Sequence, residues 1–115
     1  MKDRFKFRLW NKEAKEMLLV YSFDKNFIQA TPDYVVPSIR RFNTNDCILM
    51  QCTGLNDING QLIYEGDIVQ LPDKTMAVIK WDDDEALFYA DDNGKVRCFD
   101  DCEVFGNIYE DKELL

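Results

Sequence analysis

Apolar and polar residues alternate at period two over Phe5-Lys6-Phe7-Arg8-Leu9, with Phe5, Phe7 and Leu9 on one strand face and Lys6 and Arg8 on the other. Asn11-Lys12-Glu13-Ala14-Lys15 is polar and turn-like, and Met17, Leu19 and Tyr21 then resume the alternation. Arg4 to Phe23 is therefore predicted as a hairpin with a five-residue connection. Pro32 and Pro37 break the stretch that follows, each biasing its preceding residue toward extended backbone. Within it Phe27-Ile28 and Tyr34-Val35-Val36 are expected as short strands, and Arg40-Arg41 as the close of a short helical turn starting near Pro37.

Further on, the apolar runs shorten and the turns sharpen. Cys47 to Thr53 is predicted as a strand buried on both faces for most of its length. Short strands are predicted over Gln61–Tyr64, Ile68–Leu71, Met76–Trp81, Ala86–Ala90, Lys95–Phe99 and Glu103–Tyr109. Asp92-Asn93-Gly94 is the strongest hairpin signal, because Asn-Gly tolerates positive φ at both central positions. Strands this short and evenly spaced predict a mostly β fold. The expected arrangement is a small SH3-like barrel over residues 46–115, with a β-rich N-terminal hairpin region, residues 1–45, packed on it.

Composition supports a packed fold: 46% of the 115 residues are hydrophobic, and the eight Phe are expected to anchor the core. No window approaches the roughly 20 apolar residues of a membrane helix. Met1 to Trp10 lacks the apolar run of a signal peptide, so a cytoplasmic location is expected, with the four cysteines as reduced thiols. Charge divides the chain. Residues 1–45 hold nine Lys/Arg against five Asp/Glu, and residues 46–115 hold five against seventeen. The halves are thus +4 and −12, which favours attraction between them, within one chain or between copies. The acidic half would repel phosphate rather than release its counterions.

Histidine is absent, which excludes Ser-His-Asp and Cys-His catalysis and imidazole-ligated zinc. A zinc site from Cys47, Cys52, Cys98 and Cys102 would need paired ligands two residues apart, whereas these pairs have four and three between them. The thiols are expected instead as small buried apolar side chains. Asp82-Asp83-Asp84-Glu85, Asp91-Asp92 and Asp100-Asp101 bring carboxylates together, as cation sites do, but turns favour Asp in any case. Lys2, Arg4, Lys6 and Arg8, with Trp10 nearby, form a basic-aromatic start of the kind that can bind a nucleic-acid backbone. The same alternation also marks a half-buried edge strand with its polar side outward. Arg4, Lys6, Arg8 and Trp10 are the candidate binding surface; no catalytic residue, cofactor or metal ligand is expected.

Four segments carry a family resemblance. Lys6-Phe7-Arg8-Leu9-Trp10 with Met17 resembles the "KFRxW…M" opening of YopX-like proteins, and Leu49 to Gly60 is similar to their "LMQxTGLxDxNG". Ile63 to Val69 matches "IYEGDIV", and Glu103 to Glu110 matches "EVIGNIYE" with one substitution. The resemblance implies a gene of phages and prophages, a β-rich N-terminal region against an SH3-like barrel, and no assigned catalytic residues. It also gives structural meaning to particular positions. Gly54, Gly60 and Gly66 fall where tight turns need positive φ, and Asp67 where a carboxylate can bond backbone N–H groups of its own turn. Tyr64 and Trp81 are expected at the barrel core or rim. The expected function is a non-enzymatic phage accessory protein acting through protein contacts, with a protein partner and homo-oligomerisation. A nucleic-acid-associated module and an acidic mimic of DNA are the alternatives.

Overall fold

The computed structural model describes residues 6–32 and 39–115. Eleven strands are described: β1 (Phe7–Asn11), β2 (Glu16–Phe23), β3 (Phe27–Thr31), β4 (Arg40–Asn43), β5 (Cys47–Asn56), β6 (Leu62–Tyr64), β7 (Asp67–Gln70), β8 (Met76–Asp82), β9 (Leu87–Asp92), β10 (Lys95–Arg97) and β11 (Glu103–Asn107). All their pairings are antiparallel. They make a six-stranded sheet in the order β4-β3-β2-β1-β5-β6 and a five-stranded sheet in the order β10-β9-β8-β7-β11. The all-β class expected from the sequence holds. The ladders describe two open sheets, so the expected barrel goes further than the pairing does.

The first hairpin forms as the alternation predicts, β1 and β2 meeting in the register Arg8↔Leu19 to Asn11↔Glu16. β1 then pairs on its other side with β5, from Phe7↔Gln51 to Asn11↔Cys47. Strand pairing therefore crosses the expected boundary at residues 45/46. β5 continues beyond Thr53 to Asn56 and turns to β6, with a register shift between Cys52 and Asn56 where Gly54 takes φ 83°. Arg40 and Arg41 do not close a helical turn; they lie in β4. The strand is favoured because Ile28↔Phe42 pairing carries Phe42 to the core while Arg40 and Arg41 stay exposed. The strand expected at Tyr34-Val35-Val36 lies outside the described residues.

Each sheet has its own apolar cluster. Leu9, Leu18, Ile28, Ala30 and Cys47 pack on the first sheet, with Val20, Phe42 and Leu49 against them. Val69, Leu71, Ala77, Ile79, Ala90 and Cys102 pack on the second, joined by Ile63 from β6 of the first sheet and flanked by Phe88, Phe99 and Val104. Aliphatic side chains, not phenylalanines, fill both centres. Every described Phe is half-buried or exposed, and Phe42, Phe88 and Phe99 lie at the rims of the clusters. Flat rings suit the margins of a layer whose middle is filled by short branched side chains on closely spaced strands.

Candidate functional site

The two sheets meet around Arg8. It projects from β1 away from the Leu9 cluster, and its Nη2 lies 2.6 Å from Asp67 Oδ1, the side chains 11% and 2% exposed. The same nitrogen donates to the Glu65 carbonyl at 3.2 Å, and the guanidinium carbon sits 4.8 Å from the centre of the Tyr64 ring. The other Asp67 oxygen accepts the Tyr64 backbone N–H at 2.8 Å, closing the turn across Glu65 and Gly66. Burial pushes the Asp67 carboxyl above its ordinary value, and the Arg8 charge and Tyr64 bond offset only part of that rise.

Gly66, at φ 88°, lets two other segments close on this turn. Its N–H donates to the Ile79 carbonyl at 2.8 Å and its own carbonyl accepts from Ile108 N–H at 3.0 Å. A Cβ there would lie 3.3 Å from Met50 Sδ and 3.5 Å from the Tyr109 ring. Tyr109 stacks on Trp10, centres 5.5 Å apart and planes inclined by 23°. Asn107 Oδ1 positions it by accepting the N–H groups of Tyr109 and Glu110, each at 3.0 Å. Burial raises the Tyr109 phenol.

A second knot forms at Asp57. One oxygen accepts the N–H groups of Asn59 and Gln61, and the other accepts that of Val104 on β11, all at 2.9 Å. Burial raises this carboxyl, but the bonds from Val104, Gln61 and Asn59 outweigh it and hold the group below its ordinary value. The sequence marks Asp57 as a turn residue, since Asn59 and Gly60 follow it. The link to Val104 spans distant segments and leaves no local signal.

The expected binding surface is placed differently from the sequence reading. Lys6 is exposed and Arg4 lies outside the described residues. Trp10 is buried against Tyr109 and Arg8 is half-buried against Asp67, because both faces of β1 are covered. The exposed basic-aromatic surface is on β2–β4 instead. There the Arg41 guanidinium lies 3.8 Å over the Phe27 ring, with Tyr21 and Phe23 exposed. Gly54, Gly60, Gly66 and Gly94 have φ between 82° and 92°. Tyr64 is buried, and Trp81 lies at the surface, edge-on to Phe88 at 4.8 Å.

The acidic loops work first as turns. Asp82 Oδ1 accepts from the N–H groups of Asp84 and Glu85, and Asp91 Oδ1 accepts from Gly94. Beside them an apolar groove of about 340 Å³ is lined by Leu55, Leu87, Tyr89, Val96, Phe99 and Asp100, among others. Cys47, Cys52 and Cys102 are buried free thiols, whereas Cys98 is exposed, contrary to the expectation for all four. Burial pushes Cys102 up to about 11, leaving it a neutral thiol. Among the described residues, no group of three or more His, Cys, Asp or Glu side chains is arranged to hold a metal ion.

Known proteins resemble the chain from end to end. A family described as "YopX protein" matches residues 6–115. The crystal structure of protein EF1440 from Enterococcus faecalis is similar at a TM-score of 0.68 and 31% identity, covering 96% of both chains. No curated protein matches. The four motif segments supply Arg8, Trp10, Met50, Asp57, Tyr64, Gly66, Asp67, Asn107 and Tyr109, the residues of the junction and the Asp57 knot. The chain belongs to the YopX family.

Proposed function

We propose that this protein is a non-enzymatic accessory protein of a phage or prophage, acting in a bacterial cytoplasm through protein–protein contacts, with a second copy of itself as the first partner. One observation carries the reading: Arg8, Asp57 and Asp67, charged residues of the motifs, are engaged inside the fold, whereas opposite charges stand exposed on different sheets. Arg40 and Arg41 are exposed on β4, the outer strand of the basic half, Arg40 also reaching Glu16 at 2.8 Å. Asp83, Asp84, Glu85, Asp100 and Asp101 are exposed on loops of the acidic half. Contact between such surfaces is steered by charge and weakened by salt. Light scattering is the test. Self-association at about 10 mM salt should fall at about 1 M, where the Debye length shrinks from about 30 to about 3 Å. Arg40→Glu with Arg41→Glu should reduce it at low salt, and a monomer at both concentrations would overturn the reading.

The Arg41–Phe27 stack, with exposed Tyr21 and Phe23, favours a second reading, a single-stranded nucleic-acid platform on the first sheet. It requires salt-dependent retention on single-stranded DNA or RNA that is lost in Phe27→Ala and Arg41→Ala.

A further inference from the structure

We propose that the outer edge of β10, together with the apolar groove beside it, docks an extended segment of a partner protein in which basic and apolar residues alternate, adding it as a further strand. The proposal rests on the protein-contact reading above and adds to self-association a second contact, with its own place and partner chemistry.

The backbone supplies the first argument. β9 and β10 join through the two-residue turn Asn93-Gly94, with φ 49° and 92°. In such a hairpin the flanking residues Asp92 and Lys95 form the first hydrogen-bonded pair. Val96, opposite Asp91, therefore occupies the non-hydrogen-bonded position, and its N–H and C=O point away from β9. β10 is the outermost strand of its sheet. A donor and an acceptor thus face the open side, the arrangement to which an incoming strand pairs.

The side chains supply the second. Leu55, Leu87 and Val96 line the groove and are 53%, 44% and 70% exposed, well beyond what the packing of this sheet requires. The third argument is charge. Arg97 in the groove is already held by Asp73 at 2.8 Å and Asp92 at 3.5 Å, and Lys80 by Asp91 at 2.8 Å. Asp100 and Asp101 follow the groove, and Asp83, Asp84 and Glu85 precede Leu87; all five are exposed. Lys95 is the exposed cation between them. A segment alternating in character would set one row of side chains into the apolar groove and present the other to the carboxylates. β10 is three residues long, so backbone pairing alone would be weak and the groove must supply much of the affinity.

Fluorescence anisotropy with the full chain tests this. The probe is a labelled peptide of about seven residues alternating lysine and valine, enough for one strand. Controls are a peptide with the same residues in two blocks and an alternating peptide N-methylated at every second residue. The alternating probe should bind about tenfold or more tighter than either control. Val96→Pro, which removes the outward N–H, and Leu87→Ser should each weaken it about tenfold while thermal unfolding shifts little. Should Val96→Pro fail to fold, the N-methylated probe still reports the edge hydrogen bonds. Equal binding of all three peptides would reduce the effect to bulk charge and overturn the proposal. A wild-type dimer turned monomeric by Val96→Pro would make a second copy the occupant, and also overturn it. Absence of peptide binding with salt-sensitive self-association intact would sink the docking site alone; loss of both would sink the protein-contact reading as well.

Discussion

Arg8 has a polar-face position in an alternating strand, and by that pattern it belongs to solvent. The structure buries it against Asp67, because β1 is flanked by β2 and β5 and covered on both faces. Alternation tells which residues share a face; it does not tell whether that face is covered. Removing one member of such a pair strands the other charge in a desolvated site. Arg8→Met should therefore cost about 3–5 kcal/mol in urea unfolding. Asp67→Asn should also destabilise, and the double variant should be more stable than the sum of the two losses predicts. The pH dependence has a defined sign. A carboxyl raised in the folded state contributes stability that is fully present below its unfolded value, about 3.9, and is lost as pH rises through the folded value. Arg8→Met removes the charge that opposes the rise, so its loss of stability should be smaller near pH 4 than near pH 7, as read from urea midpoints.

Turns were the most legible elements, since their chemistry is local. The Asn93-Gly94 hairpin and the glycines at Gly60 and Gly66 follow from residue type and spacing. Gly60 and Gly66 have nearly the same φ but different surroundings: nothing lies within 4 Å of a Cβ at Gly60, whereas Gly66 faces Met50 and Tyr109. Alanine at either should cost about 1–2 kcal/mol for the left-handed backbone, with Gly66→Ala the more damaging by its added crowding. Equal losses in thermal unfolding would contradict that packing. Asp57 joins its own turn to β11, so Asp57→Ala should cost roughly 2–3 kcal/mol by leaving three N–H groups without their acceptor. Its depressed carboxyl contributes stability present above about pH 3.9 and lost as pH falls through the folded value, opposite in sign to Asp67. β4 has no local signal, because two adjacent arginines after a proline resemble a helix end and only pairing with β3 makes the strand.

Across the whole molecule, the composition of strands was visible in the sequence but their grouping was not. Division at residues 45/46 follows the change in charge, whereas pairing follows β5, which bonds to β1 before it and β6 after it. Trp10 was legible as an aromatic beside basic residues and illegible as the partner of Tyr109, because no local pattern connects positions so far apart. Trp10→Ala should cost about 3–5 kcal/mol and Tyr109→Ala somewhat less, with strong non-additivity between them in a double-mutant cycle. Additive losses would mean that the stack is incidental to the junction.

That stack also sets an order in time. Trp10 is synthesised long before Tyr109, so a growing polypeptide can complete the β1–β2 hairpin but cannot form the Trp10–Tyr109 stack until the Asn107 turn has emerged. Until then the indole lacks its aromatic partner, so the stack marks a chain in which the junction has closed.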